Sequence, residues 1–167
     1  NGIVRRDCLD KIYNIGNTFF PGPSPDIANG VALSFFVKTY AILNFPVIIT
    51  GASMMNGGGI AKLKKGWSAI EDIPYLPKDA KDKWEKNIPR IWSGESLWPE
   101  SAIKAPRYLK KEDEIKYVNT DYLLANFIFF HKDLASLGFS LSPNKIRMIY
   151  YLVCIGLKKY YKGILKM

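Results

Sequence analysis

Residues 45–50 read Phe-Pro-Val-Ile-Ile-Thr, and this short β-branched run decides the predicted fold. β-Branched residues favour strands, and a proline such as Pro46 is tolerated at a strand start, where no ladder donor is needed. A helical pattern over residues 26–40 precedes the run, and a loop with four glycines, residues 51–59, follows it. Helix, strand and glycine-rich loop in this order predict an α/β layer.

A single convincing strand cannot form a sheet by itself. Because the later sequence offers few further strands, we expect a segment upstream of Asn1 to complete the hydrogen bonds of this strand. The chain is therefore predicted to be the downstream piece of a longer protein. It would consist of a truncated α/β part at residues 1–66 and a mostly α-helical C-terminal region at residues 67–167.

Apolar residues recur every three or four positions along several segments, which predicts helices. These helices are expected over residues 5–15, 26–40, 78–88, 119–137 and 146–165. Residues 95–109 follow the same pattern, but two internal prolines predict a break in that helix. The expected helix boundaries are an N-cap at Asn119 or Thr120, a stop at Gly138 and a start at Ser142-Pro143.

Composition and charge restrict the class of protein. The hydrophobic fraction of 48% is high enough for a sizeable core and argues against disorder. Cys8 and Cys154 lie far apart, outside any metal-binding spacing, and are interpreted as reduced thiols in a cytosolic protein. No secretory signal is recognised at the start, and no apolar stretch has the roughly 20 residues that a membrane-spanning helix needs.

The formal net charge of +9 is concentrated at the C-terminal end, because Asp133 is followed by six basic residues and no acidic one. A basic tail suits an anionic partner such as a membrane surface, a nucleotide or a nucleic acid. The last predicted helix mixes apolar and basic residues. It fits either a helix that lies on an anionic membrane or a core helix with a basic, solvated outer face.

Asp26 is the only acidic residue between Asp10 and Glu71. It closes the segment at residues 19–26, FFPGPSPD, where a loop with three prolines hands over to a helix. An isolated carboxylate in such an apolar, rigid loop has two interpretations. It is either a helix cap, stabilised by free backbone N–H groups, or a general base aimed from a fixed turn.

Other candidate residues each have a functional and a structural interpretation. The loop over residues 51–62 resembles a phosphate cradle, although its spacing differs from known phosphate-binding loops, and a mobile loop is the alternative. Arg5 either contacts a phosphate or faces solvent, with solvent favoured. His131, the only histidine, lies in an aromatic stretch of a predicted helix and is expected to be a packed core or boundary residue rather than a catalytic one. The tryptophans either stack on sugar rings or pack helices, with packing favoured; they are residues 67, 84, 92 and 98.

Two segments together resemble the acceptor-side half of bacterial family-2 glycosyltransferases. The first comprises residues 1–12 with the run Phe19-Phe20-x-Gly22-x-Ser24-Pro25-Asp26-Ile27, and the second is NFPVIITGAS at residues 44–53. Their order and spacing agree with that family over about residues 1–60. The resemblance implies a GT-A fold, of which this chain would hold a partial, truncated α/β layer.

The resemblance also implies a function. Asp26 would be the catalytic base of an inverting glycosyltransferase that transfers a sugar from a nucleotide-sugar donor to a hydroxyl of a glycan or lipid-linked acceptor in cell-surface glycan synthesis. The expected substrate-binding residues are Arg5, Pro25, Gly51, Ser53, Asn56, Gly57, Gly58 and Lys62. A divalent metal, Mg or Mn, is expected from the upstream half of such enzymes, because their Asp-x-Asp motif is absent here.

The isolated chain is accordingly expected to be inactive, to bind no metal alone and no nucleic acid, and to lie in the cytoplasm or on the inner face of the membrane. The competing hypothesis is a non-enzymatic, basic helical module that binds nucleic acid or an anionic membrane. Under that hypothesis Asp26 is only a helix cap.

Overall fold

The structure is a computed structural model. It describes residues 3–42, 44–45, 67–74, 76 and 78–164, with backbone alone for residues 78 and 161–164. Helices form most of this part of the chain. The α-helices of this part are α1 (Arg6–Gly16), α2 (Pro25–Ser34), α3 (Lys78–Asp82), α4 (Gly94–Tyr108), α5 (Thr120–Phe130), α6 (Ala135–Leu141) and α7 (Lys145–Ile164). Three 3₁₀ helices lie between them, at Ile70–Asp72, Glu112–Tyr117 and Lys132–Leu134.

The prediction of an α/β, GT-A-like layer is wrong. Among the described residues the β-structure amounts to one isolated antiparallel bridge, between Ala69 and Ile91, and no sheet forms. The described helices instead bury their apolar side chains against one another. The predicted strand at residues 46–50 and the glycine-rich loop at residues 51–59 lie outside the described residues, and Phe45 at the edge of that strand is exposed.

Helix α4 is the central element of the described structure. Its Ile103 belongs to a cluster with Ile70, Ile73, Leu76, Trp84, Ile88 and Trp92. Its Ala105 and Leu109, the residue after its end, belong to a second cluster with Ile12 of α1 and Ala32 of α2. The predicted division of the chain at residues 66 and 67 stays a prediction, although α2 and α4, from its two sides, pack together.

The break expected in α4 does not occur, since the helix runs without interruption through Pro99 and Pro106. Each proline removes one backbone hydrogen bond from a helix interior and so destabilises it. Both prolines are buried, and the helix is covered by neighbours on more than one side. Burial of apolar surface offsets the missing hydrogen bonds, which is why tertiary packing overrides the local preference here.

The C-terminal helices pack around a third cluster, whose fully buried members include Phe127 of α5 and Met148 of α7. The long helix predicted over residues 119–137 is divided into α5 and α6, and the stop predicted at Gly138 is wrong. Gly138 lies within α6, where a Cβ atom would stand 2.5 Å from Cγ1 of Ile128. This glycine therefore permits close approach of α6 to α5 rather than ending a helix.

Some of the predicted helix boundaries agree with the structure and others do not. α1 confirms the helix predicted over residues 5–15, and the Asn119 side chain accepts a hydrogen bond from the Tyr122 N–H, as expected of an N-cap. α2 ends at Ser34, six residues before the predicted limit at residue 40. The last helix begins at Lys145, and the side chain of Asn144 accepts the Arg147 N–H at 3.0 Å, in place of the predicted Ser142-Pro143 start.

Candidate functional site

The loop before Asp26 is fastened to α4. The Ser24 N–H donates to the Ser101 hydroxyl at 2.8 Å, and Ser101 in turn donates to the Leu97 carbonyl at 2.7 Å. Gly22 lies so close to α4 that a Cβ atom would be 3.1 Å from Cα of Ser101. The loop is thus held in place by a backbone contact and a buried hydrogen bond, which fixes the position of α2's first turn.

Asp26 is the second residue of α2, after Pro25, so the residue in the N-cap position is Ser24. The buried Ser24 hydroxyl donates to Oδ1 of Asp26 at 2.5 Å and accepts no capping hydrogen bond from the described N–H groups of α2. This hydrogen bond is the main reason that the pKa of Asp26 is lowered from its ordinary value of 3.8, while partial burial opposes the change. Asp26 is therefore an exposed carboxylate that stays ionised at neutral pH.

A large open cleft of about 1040 Å³ lies beside this loop. Ser24 and Pro25 line it on one side, and α3 and α4 contribute charged side chains on the other. The charged lining residues are Asp79, Lys83, Glu100, Lys104 and Arg107. This large cleft therefore combines a rigid proline loop with a charged wall, while apolar surface makes up the larger part of its lining.

Glu85 holds two cations of this wall in place. Its carboxylate accepts hydrogen bonds from Lys104 Nζ at 2.8 Å and from Arg107 Nε at 2.7 Å. Burial alone would raise the pKa of Glu85, but the hydrogen bonds from Arg107 and Lys104 outweigh it and the pKa is lowered. Lys104 also donates to the Lys83 carbonyl, so the ammonium group is fixed between α4 and the end of α3.

Glu100 is the most unusual titratable group in the cleft. It is fully buried, its Oε2 accepts the Glu85 N–H at 3.0 Å, and its Oε1 has no hydrogen-bond partner among the described residues. The Lys104 ammonium is 3.6 Å from Oε1. Burial raises the pKa of Glu100 to about 7, against the opposing effects of the Glu85 N–H and of Lys104. Glu100 can therefore give or take a proton near neutral pH.

Glu100 is not among the site residues that the sequence predicts. The one available signal was its spacing of four residues before Lys104, which ordinarily indicates an exposed ion pair on a helix surface. Burial follows from the position of Glu100 on the α4 face that meets the Glu85 backbone, and this contact joins residues 15 apart in the chain.

A second cleft, of about 560 Å³, has a mostly apolar lining. Three exposed aromatic side chains of α4 and α5 line it: Trp98, Tyr122 and Phe130. Polar groups at this aromatic cleft come from Asn119, Asn126 and Glu95. Flat aromatic faces beside amide groups suit a ligand with both apolar and hydrogen-bonding surfaces, such as a sugar ring.

The start of α2 contributes residues to both clefts. Pro25 lines the large cleft and Ile27 lines the aromatic cleft, whereas Asp26, between them in the chain, is not among the described residues that line either one. Both neighbours of Asp26 thus contact open space on different sides.

The remaining predicted site residues have varied positions. Arg5 is exposed and binds the carboxylate of Asp7 through two hydrogen bonds of 2.9 Å, away from both clefts. The residues Gly51, Ser53, Asn56, Gly57, Gly58 and Lys62 lie outside the described part of the chain. His131 is buried, and its Nε2 lies 3.0 Å from Oε2 of Glu95.

The tryptophans divide between packing and exposure. Trp84 and Trp92 belong to a buried cluster, whereas Trp98 is 55% exposed and lines the aromatic cleft. Trp67 donates from its ring to the Asp133 carboxylate at 3.3 Å. The packing interpretation therefore fits the two central tryptophans, and Trp98 is the one whose face is open to a ligand.

Within the described ranges, no group of three or more His, Cys, Asp or Glu side chains is arranged to hold a metal ion. None of the helices in the same ranges has the length and apolar character needed to cross a membrane. Comparison of the chain with protein-family models, with curated proteins and with solved structures finds no match. The glycosyltransferase resemblance therefore stays a prediction that depends on the motifs themselves.

Proposed function

We propose that this chain activates the hydroxyl acceptor in an inverting glycosyl transfer, with Asp26 as the general base. The observation that carries the proposal is an exposed, ionised carboxylate in the first turn of α2, directly after a loop fastened to α4. Its two neighbours in the chain line a cleft with a charged wall and an aromatic cleft. The sugar donor is a nucleotide-sugar, as the motif resemblance implies. The acceptor is a glycan or a lipid-linked sugar.

The chemistry requires little of the base before the reaction begins. The acceptor oxygen forms a bond to the anomeric carbon while the bond from that carbon to the nucleotide phosphate breaks, which inverts the configuration. As the new bond forms, the acceptor hydroxyl becomes far more acidic, so even a carboxylate of low pKa can take its proton. The Ser24 hydroxyl holds the carboxylate in one orientation and keeps it charged.

The aromatic cleft supports the choice of a sugar acceptor. Trp98, Tyr122 and Phe130 offer flat apolar faces. The amides of Asn119 and Asn126 lie beside them, where both also bond to Tyr122. The divalent metal implied by the resemblance has no suitable group of ligands among the described residues, so no step of this proposal passes through a metal ion.

Nucleotide-sugar turnover by the intact protein tests the proposal. Asp26→Asn keeps an oxygen that can accept the Ser24 hydroxyl but cannot take a proton, so turnover should fall about 10²- to 10⁴-fold with little change in Tm. Asp113→Asn is the matched control, because Asp113 is an exposed acid in the first turn of a 3₁₀ helix outside both clefts. Equal turnover of the Asp26 variant and the control would show that Asp26 is a structural residue.

The pH profile distinguishes Asp26 from Glu100 as the base. Because the pKa of Asp26 is lowered, its charge is complete well below neutral pH and turnover should not rise between pH about 6 and 8. A rise centred near pH 7 would instead assign the proton transfer to Glu100, whose pKa is about 7.

A further inference from the structure

Helix α7 is attached to the rest of the protein by one face. Met148 is fully buried in the cluster with Phe127, and Tyr151, Leu152 and Ile155 pack against the same cluster. Near the start of the helix, Arg147 donates to the buried carboxylate of Asp121 at 2.5 Å. These contacts fix the rotation of α7 about its axis, and thus decide which residues face outwards.

The outward face of α7 is apolar. Six large side chains on it are between 47% and 84% exposed, and they are Ile146, Ile149, Tyr150, Val153, Leu157 and Tyr160. Their spacing of one, three or four residues places them in one stripe, roughly opposite Met148. We call these six residues the outer stripe. It extends over about 20 Å, at roughly 1.5 Å per residue.

The charges beside the outer stripe are all positive. Helical spacing places Lys145 along one side of the stripe and Lys158 along the other. Arg147 lies on the same side as Lys158, but its charge is paired with the Asp121 carboxylate. No acidic residue occurs in the sequence of α7 or anywhere after Asp133. An apolar stripe with cationic borders has the character of a helix that lies in the interface of a bilayer, with its apolar side chains in the acyl region and its cations at the headgroups.

We propose that the outer stripe of α7 binds the surface of an anionic lipid bilayer, with the helix parallel to the membrane plane. A second copy of the chain is a poorer occupant, because pairing two outer stripes would bring their cationic borders together. A nucleic acid is poorer as well, because six large apolar side chains separate the cations that would meet its phosphates. The proposal does not depend on the glycosyl transfer proposed above.

The test is co-sedimentation of the chain with vesicles. Mixed phosphatidylcholine–phosphatidylglycerol vesicles should bind the chain, pure phosphatidylcholine vesicles should bind it more weakly, and added salt should reduce the difference, since lipid charge contributes to affinity. Ile146→Glu places a negative charge on the stripe, which the anionic lipid repels. This variant should bind the mixed vesicles roughly tenfold more weakly, or weaker still.

Ile42→Glu is the matched control, because Ile42 is 78% exposed and Ile146 is 84% exposed, so both variants make the same change on the surface without opening the core. The control should bind vesicles as the unmodified chain does, and circular dichroism should show both variants folded. Equal vesicle binding by both variants would overturn the proposal.

A different result identifies another occupant. The unmodified chain could bind neither kind of vesicle and instead sediment as a dimer that Ile146→Glu dissociates. In that case a second copy covers the stripe and the proposal is wrong. Binding to a DNA duplex that resists Ile146→Glu, with no vesicle binding, would likewise contradict it.

Discussion

Replacement of Glu100 by glutamine should change the way in which stability depends on pH. Glu100 is fully buried, and burial raises its pKa from 4.5 to about 7 in the folded chain. Between these two values the folded state holds a proton on Glu100 that the unfolded state has released. The free energy of unfolding must therefore fall as pH rises through this range.

The magnitude follows from the difference between the two pKa values. Each pKa unit corresponds to about 1.4 kcal/mol, so ionisation of Glu100 costs the folded chain about 3 kcal/mol at pH about 8. The stabilising contribution of the protonated acid is complete below pH 4.5 and lost as pH rises past about 7. Glutamine, which resembles the protonated acid in shape and cannot ionise, removes this dependence.

The assay is urea denaturation followed by tryptophan fluorescence, since Trp84 and Trp92 are buried in the cluster to which α4 contributes. The quantity to compare is the free energy of unfolding of Glu100→Gln minus that of the unmodified chain. This difference should be about 3 kcal/mol more favourable to the variant at pH about 8 than at pH about 4.5. Taking the difference between the two proteins cancels the titration of the other carboxylates. A difference that is the same at both pH values would refute the assignment of a raised pKa to Glu100.

Glu85→Gln provides a control of opposite sign. The pKa of Glu85 is lowered in the folded chain, so its carboxylate stabilises the fold above its ordinary pKa and this contribution is lost as pH falls. The glutamine variant should therefore lose stability at neutral pH and approach the unmodified chain in acid. If the free energy of unfolding changed with pH in the same way in both variants, the pH dependence could not be assigned to Glu100 or to Glu85.

The remaining predictions concern close packing and buried charge. Gly138→Ala should destabilise the chain by about 1–3 kcal/mol, because the new Cβ would stand 2.5 Å from Cγ1 of Ile128, whereas Gly30→Ala, with nothing within 4 Å, should be neutral or stabilise α2 by up to about 1 kcal/mol. A thermal melt compares the two, and equal Tm values would contradict the packing of α6 on α5. Asp121→Ala should cost about 2–4 kcal/mol in urea denaturation, since the buried carboxylate accepts bonds from Ser142 and Arg147. A cost below 0.5 kcal/mol, the ordinary range for surface changes, would show that this link between α5 and α7 is unimportant.

Residues close together in the sequence account for the prediction that is confirmed around Asp26, which concerns local structure and not the role of the site. The prolines before Asp26 predict a rigid turn, and the turn does lead directly into α2 at Pro25. The distinction between cap and base was left open, and the structure adds that Ser24 has the cap position while Asp26 is held by the Ser24 hydroxyl. Whether Asp26 transfers a proton stays a prediction until turnover is measured.

The α/β prediction failed because it extended one local pattern to a whole layer. A β-branched run such as residues 45–50 shows a preference for extended backbone, but a sheet requires partners that only tertiary contacts provide. The two prolines of α4 illustrate the opposite error. Their local effect predicted a break, whereas packing of α4 against its neighbours keeps the helix continuous.

The sequence by itself determined the features that depend on neighbouring residues: the first turn of α2, the cap at Asn119, the concentration of positive charge after Asp133 and the helical period of α7. Tertiary structure alone decided which charges are buried and which apolar faces are exposed. Glu100 lost water because the Glu85 backbone packs against it, and the outer stripe faces away from the protein because Met148 is buried on the opposite side. Burial depends on contacts between distant residues, and for that reason no local pattern could reveal it.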